Sequence, residues 1–568
     1  MSASHTPALP IPPFRAPYAP DDAEIAARLL AGANLPKDAE ARVDARATRL
    51  IEAIRARGGG LGGIEDFLRE YSLSTKEGLA LMVLAEALLR VPDAETADKL
   101  IEDKIGATDW SKRETKSEAL LVSASSWALG LTSRVIQPGE TPEGVIGALA
   151  KRMGLPAVRT ATRQAMRMMG AHFVLGQTIE EALKRANTAQ GRLFRYSFDM
   201  LGEGARTQGD AERYLASYAD AIEAIGKGAG TQKLPHRPGI SVKLSALHPR
   251  YEATSAARVM EELVPRVLKL AQAAKRHDLC FTIDAEEADR LELSLDVVGA
   301  VAADPSLSGW MGYGLAIQSY QKRAEDVIDW IVALADKLDR VFMVRLVKGA
   351  YWDTEIKRAQ ERGLPDYPLF TRKAMTDLNY VACARKMLAA RPRLYPQFAT
   401  HNALTMATLI EIAGGAEGYE FQRLHGMGED AYKMLLQDLP GAACRTYAPV
   451  GGHRDLLAYL VRRLLENGAN SSFVSVAADP DVPVSNLLVR PQAIIGAPAA
   501  ARNPRVPPPD ALYPDRRNSR GVELGDRDSR EALLAAVRSA DLANLRAVPL
   551  IDGREAVKLL RKGGFKSP

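Results

Sequence analysis

Apolar and polar positions divide the chain into three regimes. From about Asp21 to Gln190 apolar residues recur at helical spacing, and each strong local signal is for a helix. Asp21-Asp22 predicts a cap for a helix over Ala23–Leu30, because a carboxylate accepts from the free N–H groups of a first turn. Ser74-Thr75-Lys76-Glu77 opens Gly78–Leu89 in the same way. From Ser197 the pattern changes. Short apolar runs at 197–201, 239–244, 280–284, 313–318, 341–347, 397–402, 419–424 and 444–448 alternate with long amphipathic stretches such as Arg258–Arg276 and Arg372–Arg391. Eight strand candidates alternating with helices predict an α/β fold, a parallel (βα)8 barrel rather than an open sheet. No Gly-x-Gly-x-x-Gly follows a strand, which argues against a dinucleotide-binding sheet.

The ends read differently. Residues 1–20 are Pro-rich and predict a loose tail. After about Ser475 prolines recur at 480, 483, 491, 498, 504, 507, 508, 509 and 514, which predicts an extended wrap or linker followed by a short helix over Arg530–Ala540. The organisation expected is a tail over 1–20, a helical arm and lid over 21–190, a barrel over 191–475, a Pro-rich linker over 476–528 and a short remainder over 529–568.

Composition changes this picture little. At 568 residues, 46% hydrophobic and 26% charged, the chain can bury a sizeable core. A net charge of +5 over this length permits contact with an anionic surface without calling for nucleic acid. The three cysteines, Cys280, Cys383 and Cys444, form no CxxC, so a reducing cytoplasm is expected rather than a disulfide framework. The N-terminus has no basic-then-apolar signal pattern. Runs such as Ala119–Ser133 are too short and too polar to span a bilayer, so any membrane contact is expected to be peripheral.

In such a barrel, function collects where strands end. Lys243, Asp284, Gln318, Arg345, Thr400, His401, Asn402, Gln422 and Tyr447 all fall in or at the ends of the predicted strands. Alternation puts Asp284 with Thr282, opposite Phe281 and Ile283, and Arg345 with Met343 and Val347, opposite Val344 and Leu346. A charge inside an apolar strand is costly unless paired, so Arg345 is either half of a structural ion pair, for instance with Asp284, or part of a site. Polar groups on seven strands together favour a site. Downstream, Asp455, Tyr459, Arg462, Arg463 and Glu466 share one face of a predicted helix, opposite Leu457, Leu460, Val461 and Leu464 and stopped by Gly468. That face is either solvated or a receptor for a carboxylate and a ring, since guanidinium forks grip carboxylates. Lys348-Gly349-Ala350-Tyr351-Trp352 combines small residues with rings that could wall a flat ligand. His401 and His425 with Asp284 allow a metal-dependent hydrolase as an alternative. With no HxH or HxxxH pair, however, no metal-ligand set is read.

Several long stretches resemble the proline dehydrogenase module of the bacterial proline utilization A family: Tyr196–Glu203, Ser241–Tyr251, Thr282–Leu293, Met343–Trp352, Phe398–Asn402, Phe421–Glu429 and Tyr447 through Val474. The resemblance implies FAD at the barrel mouth, hydride transfer from proline C5 to flavin N5, 1-pyrroline-5-carboxylate as product, and a membrane quinone as electron acceptor for a homo-oligomer. It implies that Lys243, Arg462 and Arg463 clamp the proline carboxylate, and that Tyr351, Leu424, Tyr447 and Tyr459 wall its ring. Arg345 would bond the flavin near N5, and Asp284 would lie beside flavin and substrate. Gln318, Val347, Lys348, Gly349, Thr400, His401, Asn402, Gln422, Arg463 and Glu466 would contact FAD. Arg345, Asp284 and Lys243 are thus the expected catalytic set. Two departures carry further expectations. The Pro-rich start differs from the ribbon–helix–helix domain of some members, so no nucleic-acid partner is expected. Asp515–Gly525 resembles the entrance to an NAD-dependent aldehyde dehydrogenase, with 529–568 the start of that module. The chain stops at Pro568, so only the first half-reaction is expected. A catalytically silent remnant serving as a dimeric binding module is the non-enzymatic alternative; the complete catalytic set argues against it.

Overall fold

The computed structural model describes residues 11, 14–56, 160–161, 174–452, 459, 473–540 and 550–555. Eight parallel strands close into a barrel: β1 (Arg195–Met200), β2 (Gly239–Val242), β3 (Cys280–Ile283), β4 (Tyr313–Gln318), β5 (Phe342–Val347), β6 (Leu394–Ala399), β7 (Glu420–Leu424) and β8 (Cys444–Val450). β8 returns to β1 with Arg195 level with Arg445 and Met200 with Val450. All eight expected strands are present. β6 is the one displaced, starting three residues early so that Pro396 lies inside it. A proline argues against a central strand because it lacks a ladder donor. Here Phe398 and Leu394 bury outward against the helices, and that packing outweighs one missing bond.

The outward faces explain why these segments become strands. Phe198, Ile240, Val242, Phe281, Ile283, Val344, Leu346, Phe398 and Phe421 are all nearly inaccessible and pack in one hydrophobic layer with the surrounding helices. Helices Ala256–Arg276 and Lys373–Ala389 lie where helical periodicity put them, and the latter buries Tyr380, Cys383 and Met387. Asp21 caps helix Asp22–Ala31 by accepting from the N–H groups of Ala23 and Glu24. The helix expected over Gly78–Leu89 lies outside the described residues.

Two expectations change. The first twenty residues are not all a loose tail: Phe14 is buried in the main core, and the Arg323 guanidinium stacks on the Tyr18 ring at 4.6 Å. The rings provide apolar area that a Pro-rich composition hides. The Pro-rich segment after the barrel is not simply extended either. It folds into short helices at Val484–Leu487 and Pro491–Ile495 and packs Ile495 and Ala501 against helix Asp22–Ala31. Its Arg502 bonds Asp22 at 3.0 Å, and buried Lys322 bonds the same carboxylate at 3.1 Å, so segments from before and after the barrel are clasped to it at one point. The late helix is present as Arg527–Ser539.

Candidate active site

Alternation aims a second set of side chains inward, and this set carries most of the strands' polar groups. Arg345 on β5 organises it. Its Nε donates to Gln422 on β7 at 2.7 Å, Nη1 to Asp284 beyond β3 at 2.7 Å, and Nη2 to Ser241 on β2 at 2.8 Å and Ser197 on β1 at 3.2 Å. A side chain on β5 reaches β1, β2 and β3 only across the barrel interior, so the guanidinium lies there, beneath the Tyr447 ring (5.1 Å). The ion pair of Arg345 with Asp284 that strand patterning left open is therefore present, and it belongs to a larger cluster.

Above Arg345, toward the strand C-termini, Lys243, Asp199, Asp284 and Tyr447 converge. Lys243 Nζ lies 2.8 Å from both Asp199 oxygens, 3.2 Å from Asp284 Oδ2 and 3.2 Å from the Tyr447 hydroxyl. Tyr447 Oη is 2.7 Å from Asp199 Oδ2 and 2.7 Å from Asp284 Oδ2. Burial alone would raise the Asp284 carboxyl, but the charges of Lys243 and Arg345 and the Tyr447 hydroxyl outweigh it and hold it below its ordinary range. Burial would likewise lower Lys243, but Asp199, Tyr447 and Asp284 hold it well above, so it stays cationic. Asp199, fully enclosed, moves upward because desolvation exceeds what Lys243 returns and Asp284 adds like charge.

Below Arg345 the polar contacts continue. Gln422 donates to Glu420 Oε1 at 3.3 Å, Gln397 donates to the same oxygen at 2.7 Å, and Glu420 is gripped by Arg445 and Arg195 at 2.5 and 2.8 Å. A cavity of about 530 Å3 opens at this end, bordered by Phe194, Arg195, Tyr196, His236 and Cys444. It lies at the starts of β1 and β8, opposite the converging polar groups.

The mouth loops carry the remaining expected residues. Gln318 ends β4 and donates to the Glu286 carbonyl at 2.7 Å. Val347 ends β5 and Lys348 and Gly349 follow it, all half-buried, with Lys348 paired to Asp377 at 2.5 Å. Gly349 has φ +131°, and a Cβ there would stand 2.5 Å from the Tyr320 ring, so this approach requires glycine. Tyr351 immediately precedes helix Trp352–Glu361. Thr400 Oγ1 accepts from Asn402 N–H, His401 Nε2 accepts from Leu424 N–H, and Asn402 caps helix Ala403–Ala413 through Thr405 N–H. Leu424 and Tyr447 face the mouth half-buried, and Tyr459 is buried. Arg462, Arg463 and Glu466 lie outside the described residues.

Sequence reading missed Asp199, Glu420 and Arg445. The signal was there: each is a charge within an apolar strand run, the criterion that singled out Arg345. Ser197 and Ser241 gave none, since small hydroxyls are unremarkable in strands.

Comparison with known proteins fits this geometry. The family model for proline dehydrogenase matches residues 182–476, the span of the barrel. The bifunctional protein PutA of Klebsiella aerogenes is 45% identical over 543 residues, covering 92% of this chain and 41% of that protein. The PutA of Escherichia coli K12 is 44% identical over 556 residues, with 94% and 42% covered. The chain thus spans under half the length of these curated relatives. Proline dehydrogenase 1 of Bacillus subtilis, 28% identical over 313 residues, matches 54% of this chain and 90% of its own length. A crystal structure of a Bradyrhizobium japonicum proline utilization A variant superposes with a TM-score of 0.75 at 67% identity, covering 93% of this chain and 54% of that one. A second model, the DNA-binding domain of proline dehydrogenase, matches residues 63–173. That match counts against the expectation of no nucleic-acid partner. With the match over the whole barrel, the chain belongs to the proline dehydrogenase family.

Proposed function

We propose that the barrel mouth binds FAD and oxidises L-proline to 1-pyrroline-5-carboxylate, with a quinone as the final electron acceptor. The observation that carries this reading is the Arg345 guanidinium, held by contacts to β1, β2, β7 and Asp284 and aimed up a polar interior toward the mouth.

The residues of the mouth fit the cofactor. Gly349 keeps the backbone free of a Cβ where a flat ring must approach. Asn402 opens a helix whose free N–H groups suit a pyrophosphate. Arg345, Gln422, Gln318, Lys348, Thr400 and His401 gather polar groups suited to a ring edge and phosphates. Bound there, the isoalloxazine supplies the hydride acceptor.

The chain's own groups orient and polarise. Tyr447, Leu424, Tyr351 and Tyr459 suit the walls of a pyrrolidine ring, excluding water from the reacting carbon. Arg345 holds a fixed positive charge beneath the mouth, where negative charge builds as electrons arrive. Lys243 is held at the pocket floor by Asp199, Asp284 and Tyr447, where its charge attracts the carboxylate that it clamps together with Arg462 and Arg463. The same reading has the protein as a cytoplasmic homo-oligomer that meets the membrane from one side. The three cysteines are free and buried, which suits a reducing compartment. Among the described residues no helix is long and apolar enough to cross a membrane.

The test is an absorption spectrum of the purified chain before and after L-proline without oxygen. A bound-flavin spectrum that bleaches supports cofactor and substrate together. Flavin that stays oxidised overturns the substrate, and folded protein without flavin overturns the cofactor.

A further inference from the structure

The hydrogens available around Tyr447 do not match the contacts it makes. Its hydroxyl lies 2.7 Å from Asp199 Oδ2 and 2.7 Å from Asp284 Oδ2, each the length of a full O–H···O bond. A phenol has one hydrogen and can serve one of them. The Lys243 hydrogens point along other edges, at 2.8 Å to the two Asp199 oxygens and 3.2 Å to Asp284 Oδ2 and to the Tyr447 oxygen. Two bare oxygens at 2.7 Å would repel, so the second short contact needs a hydrogen that only a carboxyl can supply. The environments decide which one. Asp284 faces two cations, with Oδ1 2.7 Å from Arg345 and Oδ2 against Lys243. Asp199 has Lys243 alone and no solvent exposure.

We propose that Asp199 carries a proton in the resting site, donates it to Tyr447, and so leaves the group of Lys243, Arg345, Asp284 and Asp199 one unit positive toward a bound carboxylate. Tyr447 in turn donates to Asp284, giving a single direction to the chain Asp199–Tyr447–Asp284. The groups facing Asp199 are Lys243 just beyond β2, Asp284 beyond β3, Tyr447 on β8 and, from helix Gln208–Gly228, Tyr218, with Arg345 behind Asp284. Burial lifts the Asp199 carboxyl, in keeping with this assignment. Because an elevated carboxyl loses its proton as pH rises, the site passes from one positive charge to none, and its hold on a carboxylate weakens toward high pH. Asp199 is thus a positioning residue that sets the charge of the floor through Lys243 and Tyr447.

The inference rests on the mouth as a carboxylate site, but its first test does not. An infrared difference spectrum of the flavin-loaded chain minus Asp199→Asn, in which the protonated Glu355 common to both cancels, should contain the C=O stretch of a protonated carboxylic acid, shifted in heavy water and lost at high pH. A difference spectrum without that band overturns the proposal. The second test is binding of cyclopentanecarboxylate, which has the ring and the acid but no amine, read from the flavin spectrum across pH. Affinity in the unsubstituted chain should fall at least about tenfold as Asp199 ionises, while Asp199→Asn, fixed as neutral, stays within about threefold. Parallel pH curves in both overturn it. Failure of the acid to bind at any pH, with the band still assigned to position 199, overturns the mouth reading and leaves the proton on Asp199.

Discussion

At the scale of single residues, Arg345 shows how the site is paid for. A guanidinium with almost no solvent exposure is tolerable because Gln422, Asp284, Ser241 and Ser197 take its hydrogens. Arg345→Met fills similar volume but strands Asp284 with one cation instead of two. The expected outcome is a loss of about 3–5 kcal/mol in urea unfolding, the usual cost of leaving one partner of a buried pair alone. Flavin reduction by proline should slow by about 10²–10³-fold in anaerobic stopped flow, the typical cost of one preorganised charge. Arg345→Lys, unable to span from Gln422 to Ser241, should recover stability more than rate. These residues were readable in sequence to different degrees. Arg345 and Asp284 announced themselves as charges in apolar strands, and Asp199 did so as clearly. What one dimension could not give was that Lys243 spends its hydrogens on Asp199, because that contact joins neighbouring strands whose register only the closed barrel fixes.

Elements join at the mouth through Glu355. From helix Trp352–Glu361 this buried carboxyl accepts from Ala288 N–H at 2.7 Å and lies 3.5 Å from the Tyr320 hydroxyl, tying the loops after β3, β4 and β5. Burial pushes it up to about 8, helped by Asp289 and Glu287 and opposed by the Ala288 N–H. Its unfolded value is about 4.3, so between these the folded chain holds a proton that the unfolded chain releases, and stability falls as pH rises through the window. Glu355→Gln removes that slope. Thermal unfolding of the two proteins should differ least near pH 5, and the variant should melt higher by roughly 5–10 degrees at pH 9, as expected for a shift worth about 4–5 kcal/mol. Equal pH slopes would show that Glu355 is ionised throughout. The elements themselves were legible from period alone, since each strand buries one alternate face against helices. The folded termini were not. Phe14 and Ile495 find their partners across the sequence, where no local pattern reaches.

Across the whole molecule the polar groups form one axis: Arg445 and Arg195 hold Glu420, Glu420 accepts from Gln422, Gln422 accepts from Arg345, and Arg345 pairs with Asp284 below Tyr447. The barrel is therefore welded along its centre by ionic contacts as well as around its rim by apolar ones. The clasp of Lys322 on Asp22 and Asp366 ties the outer segments to it, and Lys322→Met should leave both carboxylates underpaired and expose helix Asp22–Ala31 to limited proteolysis first. The axis gives the sharper test. Burial would raise Glu420, but Arg445 and Arg195 outweigh it and hold the carboxyl below its ordinary range. A depressed carboxyl stabilises the fold at all pH above its unfolded value, about 4.3, and surrenders that stability as pH falls through its folded value. Glu420→Gln, roughly isosteric, abolishes the charge and leaves two arginines facing each other at the base. At pH 7 it should cost about 3–5 kcal/mol, as broken buried pairs do. Below about pH 4.3 the unfolded chain protonates this carboxyl while the folded chain still resists, so the two denaturation midpoints should draw together as pH falls. The cavity bordered by Arg195 and His236 lies at the base of this pair, giving water a short path to Arg195. Midpoints that stay separated by a constant amount down to pH 3 would mean that Glu420 supports the barrel by shape and neutral hydrogen bonds, and that its charge contributes nothing to the weld.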